Sequence, residues 1–445
     1  MTKTIFISSF HGHISRNILS TDVLPLLKQH KDIRVVILVP AYKADYFRDE
    51  FAGGNVVIEG INQEQASKTL LGLFFKRLGV YLFDSSTTRT KRYYMLYHYK
   101  KWFHFLFFSA AALIGHSFLI KKFSRYFDLR FCPKGFFAPL IKRYNPDMIF
   151  STDIQNENDV SLMQDARLKG ISILGMVRSW DNMTQRACRI FPDKLLVGSL
   201  TVKEEVLKFH KYSEEKIAVV GNPHYDRYLK APITPKEKFF KSLGLNPNQR
   251  LIVYNPIGDP IIHKNDADRY IMQILGEVDA QILVRLPTNL PVNLDGFRAP
   301  LNMIIDRPGF NFRSGDIRGQ EITREDDDRL IDSLYYSDIV VSGPSTICLD
   351  AALLDKPVIT VDFYPTKRHL FDSVYAYQYE HLKKLLSTKG VYHTQSKEDF
   401  LRHIRRYLNN PRLDKEGREA VRSLWFSHTD GNSSERIVQE IFAFL

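Results

Sequence analysis

Short apolar runs rich in valine and isoleucine alternate with helical patterns along most of the chain. In the first 70 residues the apolar runs are TIFISSF, IRVVILVP and NVVIEG, with amphipathic helical patterns between them. Continuous apolar runs of this length are typical of strands in a parallel sheet that helices cover on both faces. The beginning of the chain therefore predicts half of a doubly wound α/β domain.

The same alternation returns twice more and divides the chain. The runs PDMIFSTD, ISILGMV, DKLLVGS and KIAVVGNP carry the first series to residue 223, and a second series follows as LIVYNP, AQILVRLP, LNMIID, DIVVSGP and PVITVDF. Prolines and lysines mark residues 224–248 as a linker. We predict two doubly wound, Rossmann-like domains facing across a cleft, at 1–223 and 249–445, with a last helix able to pack back on the first domain.

Length and cysteine content agree with this division. A chain of 445 residues exceeds the roughly 250–300 residues at which a single core stops growing. The three cysteines, Cys132, Cys188 and Cys348, are far apart and outside any metal-binding spacing, which fits a reducing compartment. The N-terminal residues enter a strand without the pattern of a signal peptide. We expect a cytoplasmic protein.

The charge is concentrated in one stretch. Residues 71–145 contain fourteen lysines and arginines and two acidic residues, so they account for the whole net charge of +12. The same stretch holds 21 of the aromatic residues, many of them in KRYYMLYHYKKWFHFLFF. Cations beside amphipathic rings suit an anionic membrane surface, and we predict a peripheral protein on the inner face of the cell membrane. A nucleic-acid platform fits less well, as does a membrane span at 103–120. We expect a helix with one core face and one interfacial face there.

A strand, a turn and a helix follow one another in DIVVSGPSTICLDAALLDKPVI. Ser342 and Gly343 are expected to form the turn, and Pro344 suits the first helical position. Free N–H groups at a helix start bind phosphate, and two hydroxyls in the first turn, those of Ser345 and Thr346, would add donors. One turn further on, Asp350 can accept hydrogen bonds from ribose. The alternative is a well-capped helix with no ligand.

This segment resembles the GT-B glycosyltransferases, in which a strand, a Gly/Ser turn, an acidic residue and a KPV-like ending bind the donor diphosphate and ribose. GNPHYDRYL is similar to UDP-N-acetylglucosamine 2-epimerases, HTDGNSSERI to CDP-glycerol glycerophosphotransferases, and SWDNMT with FPDKLLVGS to bacterial surface-polysaccharide transferases. Where related polymerases have a basic residue followed by His-Pro, this chain has Arg285, Leu286 and Pro287. Arg285 remains placed to meet phosphate oxygens, and the alternative is a surface arginine at a strand end. Asn255, after the first strand of the second domain, is a further candidate contact for phosphate or sugar with weaker support.

The catalytic base is expected in loops that follow strands of the first domain. His11 and His13 lie in SFHGHIS, and imidazole titrates near neutral pH. His13 matches the histidine of the Gly-Gly-His loop in lipid-directed N-acetylglucosaminyltransferases. Asp153 and Asp181 also end strands and remain alternatives. Both histidines could instead hydrogen-bond only within their loop, and Asp181 could be a helix N-cap.

A glycosyltransferase is the predicted function. The donor would be a nucleotide-sugar, and the acceptor a glycan or lipid-linked molecule at the membrane. No DxD motif between apolar strands is present, and the acidic run in REDDDRL looks like a solvated helix start, so we expect no metal and no other cofactor. A phosphotransferase acting on CDP-glycerol or CDP-ribitol and a nucleotide-sugar 2-epimerase remain as alternatives.

Overall fold

The computed structural model describes residues 2–62, 69–262, 264–288, 290–312 and 319–445. The chain forms two compact units. Unit 1 contains the residues up to Asp226 together with Ser427–Leu445, and unit 2 contains Arg227–Phe426.

Unit 1 is built on a seven-stranded parallel sheet with the order β3-β2-β1-β4-β5-β6-β7. The strands are β1 Lys3–Ser8, β2 Ile33–Pro40, β3 Val56–Ile61, β4 Met148–Ser151, β5 Ser172–Met176, β6 Lys194–Val197 and β7 Ile217–Val219. Strand order reverses between β1 and β4, which pair directly. Ligands of doubly wound folds bind at the carboxyl ends of strands at such a reversal.

The unbroken apolar runs have a direct structural cause. Along β2, alternate side chains enter opposite cores: Val35 and Ile37 pack on one face of the sheet, and Val36 and Leu38 pack on the other. Helices cover both faces from Val35 onward, so a polar residue there would lose buried apolar contact, whereas Arg34 near the start of the strand is exposed. The helices of unit 1 are Val23–Lys28, Ala44–Phe51, Leu70–Tyr81, Ser86–Tyr99, Trp102–Ile114, Phe118–Phe131, Ala138–Tyr144, Glu157–Leu168, Leu200–Glu205, Pro223–Asp226 and Ser433–Phe444, with short turns at Gly12–Ile14, Ser15–Leu19 and Val206–His210.

The helix Ser433–Phe444 belongs to unit 1 although it closes the chain. Ile437, Val438 and Ile441 are buried in the same core as β1 and β2. The Asp226 carboxylate accepts the Ser433 N–H at 2.8 Å and the Ser433 hydroxyl at 2.7 Å. A Cβ on Gly221 would lie 2.4 Å from the Ser433 hydroxyl oxygen. The motifs GNPHYD and GNSSER therefore hold each other in place.

Residues 70–131 form four helices. The pattern at 103–120 predicts one helix, but the structure has two, Trp102–Ile114 and Phe118–Phe131, with a bend of 105° between them. At the bend, the backbone of Gly115 packs closely against the backbone of Leu82. A Cβ on Gly115 would lie only 2.0 Å from the Leu82 carbonyl oxygen. Within the described ranges, no single helix is long and apolar enough to cross a membrane, and this bent pair meets the criterion of length and composition only when its two helices are taken together.

Unit 2 contains a six-stranded parallel sheet in the order β10-β9-β8-β13-β14-β15. Its strands are β8 Leu251–Asn255, β9 Gln281–Arg285, β10 Met303–Asp306, β13 Ile339–Ser342, β14 Val358–Val361 and β15 Tyr392–Thr394, and a small hairpin pairs β11 Phe310–Asn311 with β12 Gln320–Glu321. The helices are Lys236–Ser242, Ala267–Gly276, Arg324–Tyr336, Ile347–Leu353, Glu380–Ser387, Lys397–Asn409 and Lys415–Trp425. Strand order reverses between β8 and β13.

The segment expected to be a linker, 224–248, is divided between the units. Its first residues complete the helix Pro223–Asp226 of unit 1, and the rest packs within unit 2. Phe239 and Phe240 are buried there. The backbone N–H groups of Ile233 and Thr234 donate to the Asp332 carboxylate at 2.7 and 3.0 Å. The lysine and proline content of the segment does not predict these buried side chains and hydrogen bonds.

Candidate functional site

The turn after β13 lies at the strand-order reversal of the unit 2 sheet. Ser342, the last residue of β13, is in register with Asn255, the last residue of β8. A Cβ on Gly343 would lie 2.8 Å from the Ile257 Cγ1 atom and 3.2 Å from its Cα atom. Only glycine lets the two turns approach this closely without displacement. The structure thus places the expected donor turn at the position where doubly wound sheets bind ligands.

The helix after this turn begins three residues later than expected. Pro344 is not its first residue: the helix runs from Ile347 to Leu353, and the Thr346 carbonyl accepts the N–H groups of Leu349 and Asp350. The Ser345 hydroxyl oxygen accepts the Ile347 N–H at 3.4 Å. Pro344, Ser345 and Thr346 are partly exposed. They form an open turn with one hydroxyl already turned toward the helix start.

The other two polar residues of the motif are buried. Ser342 has no exposed surface, and Asp350 is 4% exposed. Asp350 lies one turn into the helix, next to Cys348, whose thiol donates to the Gly343 carbonyl at 3.7 Å. Burial raises the pKa of the Cys348 thiol to about 12, and the charge of Asp350 adds to that rise. A ligand hydroxyl that reached Asp350 would meet a desolvated carboxylate, where hydrogen bonds are strong.

A residue that the sequence reasoning missed shapes the neighbouring loop. Asp268, 1% exposed, accepts the Ile257 N–H at 2.8 Å, the Gly258 N–H at 3.0 Å and the Tyr254 hydroxyl at 2.6 Å. It thereby fixes the turn against which Gly343 packs. The available signal was an acidic residue at the start of the helix after the first strand of this domain, in the string NDADR.

Asn255 and Arg285 stand at the ends of β8 and β9. The Asn255 amide donates to the Arg285 carbonyl at 2.9 Å, which ties the two strand ends together. Arg285 is 4% exposed, and its guanidinium binds the Asp306 carboxylate and the Asp326 carbonyl. Burial lowers its pKa, and the charge of Asp306 opposes that change. In this structure Arg285 therefore fixes the loops at this edge of the sheet.

The acidic run in REDDDRL differs from the expected solvated helix start. The helix begins there, and Asp326 forms a capping box with Thr323. Asp327, however, is 1% exposed and forms an ion pair with Arg227, which also pairs with Asp328. The burial of Asp327 could not be predicted from the local sequence, because its partner Arg227 lies 100 residues away.

In unit 1 the two histidines lie in the loop after β1, at the reversal between β1 and β4. The backbone N–H of His13 donates to the His11 Nδ1 atom at 3.2 Å, and the two ring centroids are 4.9 Å apart. Both rings are partly exposed. The pKa of His13 lies well below 6.5, because the surrounding protein desolvates the ring and because His11, Arg16 and Arg178 disfavour a positive charge. His13 is therefore neutral at pH 7, and its ring is a weaker base than an ordinary histidine.

Asp153 follows β4 at the same reversal. It is 3% exposed and pairs with Arg178, the same arginine whose charge acts on His13. Asp159, missed by the sequence reasoning, lies behind it and accepts hydrogen bonds from the hydroxyls of Ser8 and Ser151. Burial and the nearby charge of Asp153 raise the pKa of Asp159 to about 7. The strand ends of β1 and β4 thus gather groups that can move or hold a proton.

Asp181 occupies a different environment. It is partly exposed and precedes the turn Asn182–Thr184, with no side-chain capping bond. Its carboxylate accepts the Gln185 amide at 2.6 Å, and its charge opposes the lowering of the Lys91 pKa by burial. The structure therefore groups Asp153 with the histidine loop through Arg178 and associates Asp181 with Lys91 in the basic helical segment.

Comparison with known proteins agrees with the sequence motifs. A family model described as CDP-glycerol:poly(glycerophosphate) glycerophosphotransferase matches residues 314–443, a range that includes the β13 turn and Asp350. Lipid-A-disaccharide synthase of Gloeothece citriformis is 22% identical over 165 residues, which are 36% of this chain and 38% of that protein. The chain thus matches well under half of the length of this curated relative.

Solved structures show the same fold over nearly the whole chain. UDP-N-acetylglucosamine 2-epimerase of Neisseria meningitidis, bound to UDP-GlcNAc, superposes with a TM-score of 0.56 at 12% identity and covers 99% of this chain and 100% of that one. A variant of the wall teichoic acid polymerase TagF soaked with CDPG gives a TM-score of 0.51 at 12% identity, over 99% and 88%. The predicted fold, two Rossmann-like parallel sheets of the GT-B type, is confirmed, and so is the predicted resemblance to surface-polysaccharide transferases and 2-epimerases.

Proposed function

We propose that this chain is a metal-independent glycosyltransferase that moves a sugar from a nucleotide donor to a glycan or lipid-linked acceptor at a membrane. The observation that carries the proposal is the β13 turn. It lies at the strand-order reversal of unit 2, Gly343 lets it pack closely against Ile257, and it falls within the family-matched segment. Partly exposed Ser345 and Thr346 would receive the donor phosphates, and Asp350 the ribose.

The chemistry of unit 1 supports a transfer reaction. An acceptor hydroxyl must lose a proton as it attacks the donor. His13 is neutral at pH 7 because its pKa is lowered, so its free ring nitrogen can take that proton. Asp153 and Arg178 would orient the acceptor beside it, and the charge of Arg178 adds to the burial that lowers the pKa of His13.

A phosphotransferase that uses CDP-glycerol or CDP-ribitol is the second candidate. The family model matched by residues 314–443 favours it, since that model describes a glycerophosphotransferase. The β13 turn would hold the diphosphate of either donor, because main-chain amides and hydroxyls recognise phosphate and not the group attached to it. The two candidates therefore differ in the transferred group, which is a sugar in the first and a glycerol phosphate or ribitol phosphate in the second.

The membrane is the proposed site of action. Phe103 is 91% exposed, Leu113 72% and Phe107 66%, all on the helix Trp102–Ile114, and the lysines and arginines lie on the helices before and after it, Ser86–Tyr99 and Phe118–Phe131. Large apolar side chains rarely remain in water in such numbers, and a surface that combines them with cations suits anionic headgroups over an acyl layer. We propose peripheral attachment to the inner face of the cell membrane through residues 71–145.

A nucleotide-binding panel tests the proposal. The melting temperature of the full chain would be measured with CDP, UDP, CDP-glycerol and UDP-N-acetylglucosamine, each with and without a chelator, because a ligand that binds the folded state raises it. Asp350→Asn should reduce the shift. Asp338→Asn is the matched control, since Asp338 precedes the same strand at its opposite end and binds Arg250 at 2.7 Å.

Each outcome has a distinct meaning. A response to CDP-glycerol alone would replace the glycosyltransferase with the second candidate. Conversion of UDP-N-acetylglucosamine at C2 without an acceptor would indicate an epimerase. If no nucleotide shifts the melting temperature, or if Asp350→Asn and Asp338→Asn behave alike, the donor site is not at the β13 turn.

A further inference from the structure

The two acidic residues of the basic segment 71–145 are both turned toward the protein. Asp84 pairs with Arg89, Arg92 and His116. Asp128, on the helix Phe118–Phe131, is 1% exposed. Neither carboxylate therefore contributes much to the outer face of these helices, which presents apolar side chains and cations.

Asp128 is the start of a buried chain of ion pairs. Its carboxylate accepts the Arg189 Nε and Nη2 donors at 2.7 and 2.8 Å, and the Gln164 amide at 3.1 Å. The remaining nitrogen of Arg189 binds the Glu157 carboxylate at 2.5 Å. One guanidinium thus joins a helix of the basic segment to the first residue of the helix Glu157–Leu168.

Glu157 directly follows the loop that carries Asp153. Arg186 binds Glu157 at 3.4 Å and donates to the Gln155 carbonyl, while the Gln155 amide donates back to the Arg186 carbonyl at 3.1 Å. The loop 152–156 is therefore held on one side by the Asp153–Arg178 pair and on the other by Arg186 and Glu157. Through its pairs with Glu157 and Asp128, Arg189 connects this loop to the helix Phe118–Phe131 of the basic segment.

Such a connection is stiff because it is desolvated. The Arg189 side chain is 10% exposed, and the Asp128 side chain 2%. A bidentate arginine–carboxylate pair fixes both direction and distance, and leaving either partner alone in a poorly solvated site is unfavourable. A shift of the helix Phe118–Phe131 must therefore carry Arg189 and Glu157 with it or break this pair.

We infer that Arg189 is a positioning residue that couples membrane contact to the loop 152–156: when the outer face of the helices 102–131 rests on an anionic bilayer, these ion pairs hold the loop more firmly in the arrangement described above. The inference rests on the proposed membrane-directed function and names how that site is regulated. Apolar residues insert, cations meet headgroups, and Asp128, Arg189 and Glu157 transmit the contact inward.

Hydrogen–deuterium exchange of the full chain tests the coupling. Peptides covering 152–157 would be followed with and without vesicles of phosphatidylglycerol and phosphatidylethanolamine, with phosphatidylcholine vesicles as the uncharged surface. In the natural sequence, anionic vesicles should slow exchange in this loop. Arg189→Lys should bind the vesicles equally but lose the slowing, because lysine keeps the charge and cannot form the bidentate pair.

The matched control is Arg167→Lys. Arg167 lies on the helix Glu157–Leu168, pairs with Asp193 and donates to the Phe191 carbonyl at 3.0 Å, away from the loop. It should keep the vesicle response. If Arg189→Lys does not fold, Asp128→Asn makes the same test, because it keeps the size of the side chain but replaces one of the two oxygens that accept from Arg189 with an amide NH2 group.

Three results would overturn the inference. They are absence of vesicle binding by the natural sequence, loop exchange that ignores the vesicles, and a full vesicle response in the Arg189 and Asp128 variants. The test contains no nucleotide, so failure of the proposed transfer reaction would be recognised separately in the nucleotide panel, and a loss of coupling would leave the nucleotide response unchanged.

Discussion

The strand-order reversals of the two sheets carry different chemistry. In unit 1, the ends of β1 and β4 gather ionisable side chains: His13, Asp153, Asp159 and Arg178. In unit 2, the ends of β8 and β13 offer a tight glycine turn, hydroxyls and backbone amides arranged by buried carboxylates. The same topology thus provides one place suited to proton transfer and another suited to binding a fixed anionic group. A group-transfer enzyme needs both.

The largest expected effect concerns the proton-transfer side. His13→Ala should lower the rate of transfer by about 10²–10⁴-fold, the usual contribution of a general base, with nucleotide affinity unchanged. In the natural sequence the rate should also stay level as the pH falls through 6.5, because the lowered pKa keeps His13 neutral there. Initial rates and nucleotide titrations measure the two parts.

His30→Ala replaces an exposed histidine and serves as the control. Equal rates for the two variants would remove His13 from catalysis. A parallel loss of nucleotide affinity in His13→Ala would show that the two reversals do not divide the chemistry in this way.

A smaller effect should appear in the pH dependence of stability. The pKa of Asp159, raised to about 7 by burial and by Asp153, exceeds its unfolded value of about 3.9. The folded state therefore binds the extra proton between these values, and its free energy of unfolding falls as the pH rises from about 4 to 7. Asp159→Asn removes this contribution, which is about 4 kcal/mol over that range, since one pKa unit corresponds to about 1.4 kcal/mol.

Urea unfolding of both proteins at pH 5 and pH 8 measures this difference. The variant should gain stability relative to the natural sequence on going to pH 8. An identical pH dependence in the two proteins would mean that Asp159 is not held protonated at the β1–β4 reversal.

The smallest effect concerns the geometry of the anion-binding side. Gly343→Ala would place a methyl group 2.8 Å from the Ile257 side chain, and such overpacking costs about 1–3 kcal/mol. It should lower the melting temperature and weaken nucleotide binding together. Gly198→Ala is the control, because its nearest neighbour would be 3.7 Å away. If both variants bind nucleotide equally well, the close approach of the two turns is not needed for the donor.

Strand positions could be predicted from sequence because both faces of each sheet are buried. The run IRVVILVP became β2, and DIVVSGP became β13 with its turn. The bend at Gly115 could not be predicted, since its cause is the distant backbone of Leu82. The late start of the helix after Pro344 also depends on the particular hydrogen bonds of Ser345 and Thr346.

The site was predictable where a motif lies next to a strand end. The loop of His13 and the turn of Gly343 both lie at reversals, as the doubly wound pattern implies. Asp159 and Asp268 were not predicted, because the hydroxyl and amide groups that they bind come from other segments of the chain. The ion pair of Arg285 could not be predicted, because its partner Asp306 lies on the adjacent strand β10.

The return of the last helix to unit 1 affects how the chain folds during synthesis. Ile437 and Ile441 complete the core around β1 and β2, and Ser433 closes on Asp226. Most of unit 1 is made before unit 2, but its core cannot be completed until Ser427–Leu445, which follow unit 2 in sequence, have been made. Unit 2 has all its strands earlier. Translation order and completion order are thus reversed, and the nascent N-terminal sheet exposes apolar surface for most of synthesis, which is when chaperones act.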